Sequence, residues 1–155
     1  MDSGQRMIQA RHEVQTFLDR LCYALQDGGA RINLVRMRRV DQRRDRRFTN
    51  EYTIAQLFPN EDPVQALKRE LLSLTVADYI ETVKDRRFPK RPNLLVFGKT
   101  YHEGDVYVKV RIELMISGSG WWEITILSFI SLKPRLPILT FLIEGRGELF
   151  DRDRK

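Results

Sequence analysis

Four chemically active side chains alternate along residues 106–114. They are Tyr107, Lys109, Arg111 and Glu113, and the residues between and around them are apolar: Val106, Val108, Val110, Ile112 and Leu114. A period of two is typical of a half-buried strand, so the apolar set is predicted to face a core and the polar set the other side of a sheet. A phenol, an ammonium, a guanidinium and a carboxylate in a row could bind and cleave a phosphodiester. The same groups also suit an ordinary solvated sheet face.

The spacing limits what one strand can do alone. Residues two apart on a strand lie about 7 Å apart, so one phosphate can touch Tyr107 with Lys109, or Lys109 with Arg111. A neighbouring strand must complete any site, and Lys99 is the natural candidate, with His102 in the turn that follows. Metal-free RNA cleavage needs a base for the 2′-hydroxyl, cations for the phosphorane and an acid for the leaving 5′-oxygen. The predicted catalytic set is therefore Tyr107, Lys109, Lys99 and Arg111, with the tyrosine as acid or phosphate donor.

A second basic feature lies earlier in the chain. Residues 31–50 contain eight arginines and two aspartates, a local net charge of +6 that equals the excess of the whole chain. Guanidinium groups bind phosphate bidentately and stack on bases, so the block indicates a nucleic acid or an acidic protein as partner. A solvated basic loop is the plain alternative. The predicted RNA-binding residues are Arg36, Arg38, Arg39, Arg43, Arg44, Arg46 and Arg47.

Composition narrows the class of protein. With 155 residues, 42% of them hydrophobic and 31% charged, the chain is expected to form one globular domain over residues 1–155, with flexible ends at 1–5 and 146–155. No signal peptide is expected, and the longest apolar stretch, near residues 136–143, is too short to span a bilayer. A single cysteine, two histidines and the lack of a glycine-rich phosphate loop disfavour disulfides, metals and nucleotide cofactors, so no cofactor is expected and the cytoplasm is the default compartment.

Hydrophobic periodicity predicts helices first and strands after. The strands are joined by short connections typical of an antiparallel meander, and Ile124, Ile126 and Ile130 are expected on one face of the third. This order favours an α+β fold with N-terminal helices packed on one face of a C-terminal antiparallel sheet. The predicted elements are a helix at 7–26 stopped by two glycines, a strand at 31–38, a loop at 41–51, a helix at 53–57, a helix from Pro63, a further helix capped by Thr75, strands at 93–101, 106–116 and 121–132, and a possible fourth at 138–143.

An ordered series of short motifs resembles the toxins of the MqsR family. The series spans roughly residues 14–130, and no single motif decides the resemblance. Its members are 17–21 (FLDRL), the arginine-rich loop before 53–57 (TIAQL), 74–79 (LTVADY), 96–99 (VFGK), 106–109 (VYVK) and 127–129 (LSF). The resemblance implies a RelE-like α+β fold, a metal-independent endoribonuclease acting on mRNA, and a cognate antitoxin protein as partner beside the RNA.

The resemblance also implies specific site residues and specific losses. The catalytic tyrosine of the family falls on Tyr107 and the lysine that follows it on Lys109. Three other family positions carry different residues here: a basic residue is replaced by Ile130, a lysine falls near Glu81 and a glutamine near Leu94. Two functions therefore stay open, an endoribonuclease toxin and a non-catalytic RNA-binding or protein-interaction module of the same fold.

Overall fold

The computed structural model describes residues 6–35, 49–116 and 120–131. Within them the chain is α+β, as predicted, with three α-helices and one six-stranded sheet. The helices are α1 (Arg11–Gln26), α2 (Asn50–Leu57) and α3 (Pro63–Leu72). The strands are β1 (Arg6–Met7), β2 (Arg31–Leu34), β3 (Tyr79–Val83), β4 (Leu94–Tyr101), β5 (Gly104–Met115) and β6 (Trp121–Ser131).

The sheet is mixed, with the strand order β1-β3-β4-β5-β6-β2. The antiparallel meander predicted for the C-terminal half is confirmed for β4, β5 and β6, and β3, which was predicted to be helical, extends it by one antiparallel strand. β2 adds a parallel edge beside β6, and it is the observed part of the strand predicted at 31–38. The strand predicted at 138–143 lies outside the described residues.

Local capping explains where α3 and α2 begin. The carboxylate of Asp62 accepts a hydrogen bond from the Gln65 amide at 3.0 Å, and Pro63 occupies the first turn, as the Asp-Pro pair predicted. α2 begins earlier than the predicted residue 53 because the hydroxyl of Thr49 caps it, accepting from the Tyr52 amide at 3.2 Å. The end of the predicted loop at 41–51 is therefore helical.

Strand pairing overrides two predicted helical segments. The chain at Arg6–Met7 pairs with β3, so α1 begins at Arg11 instead of residue 7. The segment after Thr75 does form the predicted capping box, with the Thr75 amide donating to Asp78 at 2.9 Å. It gives only a 3-10 turn, however, because the next five residues pair with β4. The predicted second helix there is wrong, since backbone bonding to a neighbouring strand outweighs a local cap.

The core lies between the three helices and one face of the sheet. Alternate residues of β5, from Val106 to Ile112, face it, as predicted, whereas Leu114 beyond them is 49% exposed. We call the opposite side the second face, and none of the described helices packs on it. Leu94 and Val96 of β4 point there; both are buried but lie outside the core cluster. No helix in the described part of the chain is long and apolar enough to cross a membrane.

Candidate nucleic-acid interface

Strand β5 carries the predicted polar groups on the second face. Tyr107 lies opposite Gly98 of β4 and Ile130 of β6, and Lys109 lies opposite Val96. Directly opposite residues share a face, with Cβ atoms about 5 Å apart. Both Tyr107 and Lys109 are half-buried. The structure therefore brings the phenol and the ammonium together on one face, as expected.

A β-bulge in β6 decides which of its side chains reach this face. The pairing of β6 with β5 shifts at Leu127, which is the extra residue. An extra residue reverses the alternation beyond it. The prediction that Ile130 shares the core face with Ile124 and Ile126 is therefore wrong. Phe129 is fully buried in the core instead, and Ile130 lies on the second face.

Arg111 is buried in an ion pair, which differs from its predicted role as a phosphate contact. Arg111 is 3% exposed, and its Nη1 donates to Oδ2 of Asp85 at 2.7 Å. Its Nε lies 3.8 Å from Oε1 of Glu113, which in turn lies 3.2 Å from Nη2 of Arg91. The guanidinium thus neutralises a carboxylate and anchors the loop between β3 and β4.

Asp85 also organises that loop. Its Oδ1 accepts hydrogen bonds from the amides of Arg87 at 3.0 Å and Phe88 at 3.3 Å. Burial by itself would raise the pKa of Asp85, but the hydrogen bond from Arg111 and the two backbone donors outweigh it and hold the pKa below its ordinary value. Asp85 is therefore ionised at neutral pH, and one carboxylate joins the sheet to the loop.

The loop and the second face enclose a basic cavity of about 530 Å³. Six cationic side chains line it against the single carboxylate of Asp85. Arg111 is paired with Asp85 and Arg91 with Glu113, and the cavity still has more cations than these two carboxylates neutralise. The cationic lining residues are Lys84, Arg86, Arg87, Arg91, Lys109 and Arg111. Such a concentration of one sign focuses the field and attracts anions such as phosphate.

One aromatic side chain stands among these cations. Phe88 lines the cavity and is 48% exposed. The guanidinium carbons of Arg87 and Arg91 lie 5.6 Å and 5.7 Å from its ring centroid. The loop at 85–92, for which the sequence predicted no functional role, therefore supplies three of the six lining cations. Its basic and aromatic residues, adjacent in the sequence, were the signal that could have identified it.

Lys99 does not join this cluster. It pairs with Val106 on β5, so its side chain points to the helical side of the sheet. There its Nζ donates to the hydroxyl of Ser73, at the end of α3, at 2.5 Å. The prediction that Lys99 completes a site with Tyr107 and Lys109 is wrong in its geometry, because the sheet separates them. His102 is exposed in the turn beyond β4.

The three positions at which the chain departs from the toxin pattern share the second face. Ile130 lies opposite Tyr107, and Glu81 lies opposite Val96 in the row of Lys109. Leu94 lines the cavity. Glu81 is bound by Arg6, whose Nε donates to Oε1 at 2.8 Å. These three positions therefore lie on one surface with Tyr107 and Lys109, and two of the three carry apolar side chains.

The predicted RNA-binding arginines lie outside the described residues. They are Arg36, Arg38, Arg39, Arg43, Arg44, Arg46 and Arg47. The described chain ends at Val35, which lines the cavity, and resumes at Thr49. The predicted role of this block stays a prediction.

Known proteins give no indication of the function of this chain, so its function is argued from its own residues. No protein-family model, no curated protein and no solved structure matches this chain. Within residues 6–35, 49–116 and 120–131, no group of histidine, cysteine, aspartate and glutamate side chains could hold a metal ion.

Proposed function

We propose that this protein binds RNA, with the phosphate backbone held in the basic cavity on the second face. The observation that carries the proposal is the lining of that cavity, in which six cations surround a single carboxylate. Phosphate contacts by lysine and arginine supply most of the affinity of a protein for a nucleic acid, independently of sequence. Lys109 belongs to this lining, so the residue that the sequence predicted for a phosphate lies where the charge is concentrated.

Endonucleolytic cleavage is the second candidate, favoured by the position of Tyr107 and Lys109 two residues apart on one face of β5. In this reading the protein is a distant MqsR-like toxin with a RelE-like fold, works without a metal on mRNA in the cytoplasm, and is held inactive by a cognate antitoxin. The 2′-oxygen loses its proton to water and attacks the phosphorus, while Lys109 stabilises the phosphorane. The bond to the 5′-oxygen breaks as that oxygen takes a proton from the phenol of Tyr107, or from water if the phenol only donates to the phosphate, which leaves a 2′,3′-cyclic phosphate and a 5′-hydroxyl end. Binding is better supported than cleavage because Lys99 and Arg111 do not join these two groups.

A pair of lysines on adjacent strands tests the binding site. Lys109→Ala removes a cation from the cavity, whereas Lys99→Ala removes one from the opposite side of the sheet. Binding of a fluorescently labelled single-stranded RNA is followed by anisotropy over a range of salt concentrations. We expect Lys109→Ala to reduce the slope of log K against log salt by about 0.7 to 1, and Lys99→Ala to leave it unchanged. Equal losses of RNA affinity in the two variants, or RNA binding that does not depend on salt, would contradict the site. If the protein bound another protein and no RNA, the non-catalytic protein-interaction function would be favoured instead.

Cleavage is tested separately, with the same RNA, in the presence of EDTA. If the protein is a toxin, its expression arrests bacterial growth, and Tyr107→Phe and Lys109→Ala abolish the RNA fragments. Ile130 lies opposite Tyr107, so Ile130→Arg restores a cation beside the phenol and is expected to increase the cleavage rate. Cleavage at the wild-type rate in both Tyr107→Phe and Lys109→Ala would refute the assignment of these residues. If the wild-type protein binds RNA in a salt-sensitive way and leaves it intact, cleavage is refuted and RNA binding stands.

A further inference from the structure

The loop between β3 and β4 holds Phe88 in a defined position. The Phe88 amide donates to the backbone oxygen of Asp85 at 3.2 Å and to its Oδ1 at 3.3 Å. The Arg91 amide donates to the backbone oxygen of Phe88 at 3.0 Å. Because Asp85 is itself bound to the buried Arg111, this turn is tied to the sheet. The ring of Phe88 is thus held by a hydrogen-bonded turn, so little conformational entropy of the loop is lost when a ligand binds.

Nothing within the described residues explains this ring as core packing. Phe88 is 48% exposed, while Phe97 and Phe129 of the core are fully buried. The aromatic pairs of the core, such as Phe58 with Phe129, do not include it. A single exposed apolar side chain is ordinary on a protein surface, so it is the place of Phe88 in the lining of a basic cavity that makes it a candidate ligand contact.

The flanking arginines leave room on the ring. A closely stacked guanidinium is seen elsewhere in the molecule, where Cζ of Arg31 lies 4.2 Å from the ring centroid of Trp121. The corresponding distances from Phe88 are 5.6 Å for Arg87 and 5.7 Å for Arg91. Both groups therefore lie over the ring less closely than Arg31 lies over Trp121, and the 48% exposure of Phe88 leaves aromatic surface that a flat ligand can contact.

We infer that Phe88 is a stacking platform for a nucleobase, and that the cavity takes single-stranded RNA with an unpaired base on Phe88 and adjacent phosphates against Arg87, Arg91 and Lys109. This inference rests on the proposed RNA binding and deepens it by specifying the kind of RNA. Aromatic rings flanked by cations bind single strands because every base has a π face, whereas the bases of a duplex are stacked on each other and unavailable. Stacking on an aromatic ring accepts any base, so we expect the site to prefer single-stranded over double-stranded RNA and not a particular base sequence.

Three substitutions at position 88 separate stacking from apolar contact and from folding. Phe88→Ala removes the ring, Phe88→Leu keeps apolar bulk without a π face, and Phe88→Trp enlarges the π face. Affinity for a labelled single strand and for a duplex of the same sequence is measured by anisotropy, and circular dichroism checks that each variant is folded. Arg87→Ala is the charge control in the same turn.

Stacking predicts a specific pattern among these variants. Phe88→Ala and Phe88→Leu weaken single-strand binding about 10-fold or more without changing the salt slope, and Phe88→Trp binds at least as tightly as the wild type. Arg87→Ala lowers the salt slope instead. If the wild type binds RNA and Phe88→Leu binds like it, or if duplex and single strand are equally affected, stacking is wrong while RNA binding stands. If the wild type binds neither form, the proposed function itself fails.

Discussion

Replacing Asp85 by asparagine is expected to destabilise the protein by about 3 kcal/mol, because it leaves the buried Arg111 without its counter-charge. Arg111 is 3% exposed and Asp85 is 8% exposed, with 2.7 Å between Nη1 and Oδ2. At an effective dielectric constant of about 20, unit charges about 4 Å apart attract by about 4 kcal/mol. Glu113 lies near enough to Arg111 to recover part of this, since its Oε1 is 3.8 Å from Nε.

A second substitution separates the charge from the turn. Asp85→Asn keeps an oxygen that can accept from the Arg87 and Phe88 amides, whereas Asp85→Ala removes that acceptor too. We therefore expect the alanine variant to lose about 1 kcal/mol more than the asparagine variant. Unfolding in urea, followed by circular dichroism, measures both.

A double-mutant cycle isolates the pair itself. Arg111→Met removes the buried cation, so the double variant Asp85→Asn/Arg111→Met contains no unpaired charge. Its loss of stability should be smaller than the sum of the two single losses by at least about 2 kcal/mol. A coupling energy below about 0.5 kcal/mol would refute the reasoning that this ion pair stabilises the loop on the sheet.

The same pair makes a testable contribution to acid stability. The pKa of Asp85 is lowered in the native protein, so in the unfolded chain the carboxylate binds a proton at a higher pH than in the native one. Its stabilising contribution is therefore complete above the ordinary value of about 4 and is lost as the pH falls through the lowered native pKa. Asp85→Asn lacks this contribution, and its stability should fall less steeply than that of the wild type in that acidic range.

Two further predictions concern the packing that positions the second face. Asn50 is fully buried and bonds the backbone of β6 beyond its last described pair with β2, donating to the Leu127 carbonyl at 3.0 Å and accepting from the Phe129 amide at 2.9 Å. Asn50→Ala should therefore lower the free energy of unfolding by about 2 to 3 kcal/mol, and a loss below about 0.5 kcal/mol would contradict this role. The bulge predicts that Phe129→Ala costs about 3 to 5 kcal/mol and Ile130→Ala much less; the reverse order in urea denaturation would show that β6 has the other register.

The elements that were predicted correctly depend on local signals. The alternation from Val106 to Ile112 identifies a strand because each successive side chain points to the opposite face. Asp62 and Pro63 identify the start of α3 because capping involves only residues of the first turn. These signals need no knowledge of distant parts of the chain. Thr75 shows the limit, since its cap forms as predicted and the segment still becomes a strand by pairing with β4.

The candidate site was predicted in part for the same reason. Tyr107 and Lys109 share a face because they are two apart on one strand, which the sequence states directly. Lys99 was misplaced because its face depends on the hairpin, in which Tyr101 pairs with Gly104 and odd residues of β4 meet even residues of β5. Arg111 was misassigned because its partner, Asp85, comes from a loop 26 residues away in the chain.

The sequence by itself determined the α+β class, the polar alternation of β5 and an excess of cations. Only the tertiary structure decided which cations meet. It buried Arg111 against Asp85, placed Lys99 on the other side of the sheet, and brought Phe88 with its flanking arginines to the cavity of Lys109. The physical reason is that alternation and capping are set by neighbours within one turn or one strand, whereas strand register and loop anchoring depend on hydrogen bonds and ion pairs between residues far apart in the chain.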